Sequence, residues 1–220
     1  MTESARRGRP PRITRADIAV AVLDVGFADL TFAAVRERLG VGETTLYRHA
    51  PDRDELVRIG LERALSEFTW PELGGAWQEM LRAYGHAAWD ALAAHPGSAT
   101  EVAQGVVPAA MAELFTGVGE ALVRAGFTAA HAVLAGDLVF DLATDNRRGV
   151  EHLDALVPAA GPGRENIGQH WSAGAGASPT EALELLAQVQ AAIVSDPAQW
   201  FAAKLDVVLA GIAVSIGPEG

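Results

Sequence analysis

The sequence predicts an all-α protein: a small N-terminal helix-turn-helix head followed by a larger helical domain. Three observations predict it. Residues 31–49, Thr-Phe-Ala-Ala-Val-Arg-Glu-Arg-Leu-Gly-Val-Gly-Glu-Thr-Thr-Leu-Tyr-Arg-His, hold two short helical patterns joined by Gly40-Val41-Gly42. Apolar residues recur at helical spacing along the rest of the chain, without strand-like alternation. Gly and Pro punctuate it at intervals that suit helices of ordinary length.

Each element has a local cause. Thr14 with Asp17 caps a first helix with Ile18, Val22 and Leu23 on its apolar face, ending near Gly26. Thr31 caps the second, whose Phe32, Val35 and Leu39 share one face. Leu30 and Val35 stand at the positions of a hydrophobic staple, and Val41 and Leu46 repeat it for a third helix capped by Gly42. Gly40 closes the second helix, where a left-handed backbone costs least. Asp52 with Glu55 forms a capping box for a fourth helix reaching about Phe68, and Pro71 and Gly74-Gly75 break the chain. Further helices are expected over about 76–95, 98–104, 108–125, 128–146, 180–195 and 197–216, with a Gly-, Ala- and Pro-rich loop at 159–179. These signals divide the chain into an arm (1–13), a head with its connecting helix (14–70) and a helical domain (71–220).

The motif Leu39-Gly-Val-Gly-x-x-Thr-Leu-Tyr-Arg-His49, followed by Pro51-Asp52-Arg53-Asp54-Glu55-Leu56, resembles the DNA-binding domain of the TetR family of transcriptional regulators. The resemblance runs from about Thr14 to Leu65; the remainder agrees in length and helical pattern but has no sharp motif. It implies a recognition helix in the DNA major groove, phosphate contacts from Thr45, Tyr47 and Arg53, and a second domain that binds a small-molecule effector and dimerises. Thr31 belongs to the same DNA-facing set. Glu43 and Thr44 open the recognition helix toward the groove floor. Glu43 can accept from cytosine N4, or simply favour the helix dipole. Arg48 reaches a guanine edge or a backbone oxygen, and His49 packs or touches phosphate. The family commonly has a small residue at the position of Arg36, on the inner side of the first motif helix. Arg36 must therefore snorkel outward or hold the two helices apart.

Charge is divided along the chain. The net charge of −11 hides a head whose residues 1–50 hold eight Arg against six acids, while residues 71–220 hold six bases against 17 acids. The arm Arg6-Arg7-Gly8-Arg9-Pro10-Pro11-Arg12 cannot be helical past its prolines. It resembles the Gly-Arg-Pro core of minor-groove AT-hook segments, which suits it to clamp the phosphates and the narrow groove.

In the second domain, the helices at 128–143 and 197–216 are apolar on more than one side, as expected of helices that pack on a core and a partner. The family forms its dimer from its last long helices, which makes Leu138, Asp141, Leu142, Leu205, Val208, Leu209 and Ile212 the interface candidates. A palindromic operator in double-stranded DNA read by two heads requires such a homodimer. Met80, Tyr84, Trp89, Met111, Phe115, Phe140 and, in the long loop, Trp171 are candidates for lining the effector pocket. The same residue types build cores.

Other classes lack their signatures. Gly-x-Ser-x-Gly, His-Glu-x-x-His and a phosphate loop are absent, so an enzyme is not expected. His86 with Asp90 and Asp137 with Asp141 are one turn apart, but without a third ligand they read as ordinary polar groups; no metal or cofactor is expected. There is no cysteine, which suits the reducing cytoplasm. Neither a secretory signal nor a membrane span is read. The function expected is a ligand-responsive regulator, a repressor released by its effector. An activator, or a DNA-binding regulator without a ligand, is the alternative.

Overall fold

The computed structural model describes residues 13–156 and 180–218. The arm residues Arg6, Arg7, Arg9 and Arg12, the proposed loop and its Trp171 lie outside them. The described residues fold into α1 (Arg15–Val25), α2 (Phe32–Leu39), α3 (Glu43–Tyr47), α4 (Arg53–Glu67), α5 (Trp77–Ala93), α6 (Ser98–Ala103), α7 (Ala109–Arg124), α8 (Ala129–Leu156), α9 (Thr180–Val194) and α10 (Pro197–Ser215).

The head forms where its local signals place it. Thr14 and Asp17 make a reciprocal capping box on α1. The Thr31 hydroxyl accepts from the Ala34 amide at 3.1 Å. Gly40 ends α2 in the left-handed conformation, φ 63° and ψ 32°, turning the chain into α3. Leu30, Val35 and Leu46 are buried together with Ile18, Val22, Leu56 and Ile59 in one core. One expected detail differs. Asp52 accepts from the Glu55 amide at 2.8 Å, but the Glu55 carboxylate does not return to close a box. It pairs instead with Arg15, at 2.6 Å, and with Arg58. Two guanidiniums outcompete a single backbone amide for that carboxylate.

This core does not stop at the end of α4. Ala91 and Leu92 of α5, Ala99 and Val102 of α6, and Ala110 and Met111 of α7 belong to it. A second core gathers Met80, Leu81, Tyr84, Trp89, Leu122, Phe127, Val139, Phe201, Leu205 and Leu209 from α5, α7, the α7–α8 turn, α8 and α10. The head therefore sits on the body through packed apolar surface as well as through polar contacts.

Helix α8 runs ten residues beyond its expected end near Asn146. Arg147-Arg148-Gly149 interrupts the apolar pattern, but tertiary anchors carry the helix through it. The Glu151 carboxylate accepts from the Thr100 amide at 3.1 Å and the Thr100 hydroxyl at 3.0 Å, and more distantly from the Ala99 amide. It thus caps α6 from another element. The Arg147 guanidinium lies 5.7 Å from the Trp89 ring centre.

Helix α10 is 19 residues long and apolar enough to cross a membrane by length and composition. One face of it, with Phe201, Leu205, Leu209 and Ile212, is packed into the second core. That burial corrects the expected dimer interface. Leu205, Leu209 and Ile212 are at most 2% exposed within a single protomer, so they have no surface left for a partner. The exposed large apolar residues of these helices are Val133, Leu134, Leu138, Trp200, Val207 and Val214. Asp141 is also exposed, while Leu142 and Val208 are half-buried. On α8's outer face the Asp141 carboxyl is pushed up by partial burial, with Asp137 and Asp145 adding to the effect.

Candidate functional site

The recognition helix is exposed on every side but one. In α3 and the turn after it, Glu43, Thr44, Thr45, Tyr47, Arg48 and His49 are exposed, and Leu46 alone is buried. That one leucine anchors the short helix. The Tyr47 ring is stacked on Phe32 at 4.6 Å and 17°, which holds a half-exposed phenol at the α2–α3 corner. Thr31 is exposed beside them at the start of α2.

The cations of the head are mostly committed. Arg15 pairs with Glu55, Arg38 with Asp24, Arg58 with Glu55 and Arg63 with Glu67. Among the described residues of the head, Arg36 and Arg48 make no ion pair. Arg36 is exposed on α2. Its long side chain therefore does not wedge the motif helices apart, since Val35 and not Arg36 occupies the inner side.

Arg53 stands differently from its expected role at phosphate. Its Nη1 and Nη2 donate to the two Glu101 oxygens at 2.8 and 2.5 Å, and its Nε donates to the Leu30 carbonyl at 3.2 Å. The Glu101 carboxylate raises the Arg53 pKa further. Arg53 thus joins α4, the α1–α2 turn and α6. Beside it, Gly97 (φ 91°) approaches the head so closely that a Cβ there would meet the Ala28 amide nitrogen at 2.6 Å. His95, edge-on to Phe27 at 6.4 Å, completes the contact. Its pKa is lowered by burial, with Glu67 opposing.

A cavity of about 800 Å³ opens in the body between α5, α8, α9 and α10. Trp89, Val150, Leu153, Leu185, Val189, Ile193 and Trp200 supply its apolar wall, and Asn146, Gln188 and Lys204 its polar groups. Of the residues expected to line a pocket, Trp89 does. Met80 and Tyr84 are buried in the second core and Met111 in the first, and Phe140 packs against both. Burial pushes the Tyr84 phenol well up. Phe115 lines a separate depression of about 480 Å³ between α7 and α8. The α9 and α10 lining escaped the sequence reading. The available signals were Trp200 and Lys204, which with Asp206 supplies the charges of an otherwise apolar helix.

A second cavity, about 850 Å³, lies at the head–body seam and includes Phe27, Arg53, Gly97, Glu101, Arg147 and Glu151. Asp145 and Gly149 border both cavities. One turn of α8 thus separates the body cavity from the seam that holds the head. Among the described residues no group of three or more His, Asp or Glu is placed to hold a metal ion; His86 lies edge-on to Phe201 at 5.6 Å.

Residues 17–58 match the family described as bacterial regulatory proteins, tetR family, and residues 70–216 match the tetracyclin repressor-like C-terminal domain. The chain belongs to the TetR family. It is a transcriptional regulator with a helix-turn-helix DNA-binding domain and a ligand-binding domain. Among solved structures, the TetR family protein ActR of Streptomyces coelicolor in complex with actinorhodin is 21% identical. The similarity covers 95% of this chain and 99% of that one, with a TM-score of 0.77. A TetR protein of Acinetobacter baumannii AYE in complex with minocycline is 22% identical over 94% of each chain, with a TM-score of 0.68. At these identities the likeness to this TetR-family chain is one of fold. No curated protein sequence matches the chain.

Proposed function

We propose that this TetR-family protein is a cytoplasmic repressor that binds a palindromic operator as a homodimer and is released when a small molecule enters the body cavity. The observation that carries the reading is the shared turn of α8. Asp145 and Gly149 border the cavity, while Glu151, one turn on, caps α6, and α6 presents Glu101 to Arg53 of α4. A ligand that displaces this turn moves the support on which the head rests.

The DNA contacts we assign are Thr31, Glu43, Thr44, Thr45, Tyr47, Arg48 and His49. Arg36 joins them as an uncommitted cation, and the arm's Arg6, Arg7, Arg9 and Arg12 serve as a phosphate clamp. The dimer we assign uses the outer faces of α8 and α10, with Leu134, Leu138, Val207 and Val214. Two ligand-bound neighbours of the same fold support an effector-binding body. The ligand shifts the equilibrium only by its differential affinity for the two head positions, and a hundredfold release needs about 2.7 kcal/mol.

The test is binding of the purified protein to the DNA flanking its own gene, at several salt concentrations, beside Tyr47→Ala and Arg48→Ala. Sequence-specific binding that both variants lose supports the reading. Binding that is equally strong to unrelated DNA defeats it. An operator overlapping the promoter indicates repression, and one upstream of it activation.

A further inference from the structure

We propose that the body cavity takes an aromatic anion, a planar ring system bearing a carboxylate, with Lys204 as the counter-charge. The proposal rests on reading this cavity as the ligand site of the body.

Lys204 is the single lysine of the chain, whose other sixteen basic residues are arginines. It is half-buried on α10 and borders the cavity. Its Nζ donates to Asn146 Oδ1 at 2.6 Å, and the orientation of that amide is set by Asn146 Nδ2 donating to the Leu142 carbonyl at 2.7 Å. An ammonium has three donors, and Asn146 takes one. Among the described residues no carboxylate forms an ion pair with it. Asp145, on the same cavity wall, is engaged by Arg148 at 2.9 Å, and Asp206 by Arg82 at 2.8 Å. A half-buried ammonium bonded to a neutral amide keeps donors for a carboxylate entering the cavity.

The walls specify the rest of the ligand. Trp89, held by stacking on Phe201 at 4.7 Å and 16°, gives the wall a fixed aromatic side chain. Trp200 lies near Lys204, its ring centre 5.8 Å from Nζ. Val150, Val189 and Ile193 fill the sides with apolar surface. Aromatic faces and branched aliphatics favour a flat ring, and the volume falls in the usual range for small-molecule sites. Lysine, a compact charge on a flexible stem, suits one oxygen pair at varied depth better than the fixed fork of arginine does.

The test uses calorimetric titration of the full chain with three probes of one shape: 2-naphthoate, neutral 2-naphthamide and cationic 2-naphthylmethylammonium. The expected result is naphthoate binding at least about tenfold tighter than naphthamide, the scale of one charge-assisted hydrogen bond, with the cation weakest. Lys204→Met erases the difference, Lys204→Arg keeps most of it, and Trp200→Ala weakens naphthoate and naphthamide alike. Equal affinities in the wild type, a preference that survives Lys204→Met, or no binding of any probe at millimolar concentration overturns the proposal. Adding each probe to the protein–DNA complex separates the two readings. Lys204-dependent naphthoate binding without release leaves the ligand class standing and removes the effector role. Release by naphthamide bound as tightly as naphthoate does the reverse.

Discussion

The Arg53 guanidinium lies fork to fork on the Glu101 carboxylate, at 2.8 and 2.5 Å, across 48 residues of sequence. Glu101 is almost fully buried while the Arg53 side chain is two-fifths exposed. Removing Arg53 therefore strands a buried carboxylate, whereas removing Glu101 frees a cation that reaches solvent. Arg53→Ala should cost about 2 kcal/mol of stability, and Glu101→Ala less, because solvent screens the liberated guanidinium. Urea unfolding of both variants and of the double variant checks this. A coupling energy near zero means the pair does not tie head to body.

Gly97 offers a steric test of the same seam. Alanine there meets the Ala28 amide and must adopt φ 91°. Gly97→Ala should lower stability by roughly 1–3 kcal/mol and weaken operator binding further than its folded fraction explains, because the head is displaced. Thermal melts read beside DNA binding at a temperature where the variant is fully folded separate the two effects. Unchanged affinity there means the head is not held by this contact.

Arg36 and Arg48 are the uncommitted cations of the described head. Arg36→Ala should reduce the slope of log affinity against log salt by about 1 and weaken all sequences alike. If Arg48 reads a guanine edge, Arg48→Ala should cost about 1–3 kcal/mol and relax preference at one base position. Binding isotherms at a series of salt concentrations, with single-base operator variants, check both. A salt slope untouched by Arg36→Ala removes it from the phosphate contacts.

His95 should make the seam pH-sensitive. Its pKa is lowered in the folded chain by burial, so folding disfavours its protonated form. The sign follows from linkage: stability is complete above the ordinary histidine value, about 6.5, and declines as pH falls from there toward the lowered value. Melting temperature should drop between pH 7.5 and 5.5, and His95→Gln should remove part of the drop. An identical drop in the variant assigns the effect to other groups.

Much of the head was legible because its causes are local. A threonine cap, two staples and Gly40 all act within five residues of the structure they determine. The pairing of Arg53 with Glu101 was not legible, since that partner lies on a different helix and nothing in the neighbouring residues announces it. The helix period showed that α10 is apolar around most of its circumference. It did not show that Leu205, Leu209 and Ile212 turn to the protomer's own core while Val207 and Val214 turn away, because both stripes have the same spacing. The end of α8 was misplaced for a related reason. Arg147-Arg148-Gly149 looks like a terminus until Glu151 finds the amides of α6. The cavity lining was the least legible part, since Trp89 and Lys204 approach one another only after α5 and α10 have packed.

The two stripes of α10 respond differently to substitution. Leu209→Ala should cost about 2–5 kcal/mol in any assembly state, as a core truncation does. Val207→Glu should leave the protomer folded and dissociate the proposed dimer. Sedimentation beside thermal unfolding distinguishes them. A Val207→Glu protein that remains dimeric moves the interface elsewhere.

Because Asp145 and Gly149 border both cavities, the walls of the body cavity are unequal in what a mutation there can change. Substitutions on the α9 and α10 walls, at Val189 or Trp200, alter which molecules fit while leaving the seam untouched. Substitutions on the α8 wall change fit and transmission at once. New ligand preference is therefore easier to acquire through α9 and α10, and variants selected for a different inducer should accumulate there. Changes in 145–151 should instead yield regulators that respond to the old inducer weakly, permanently or in reverse.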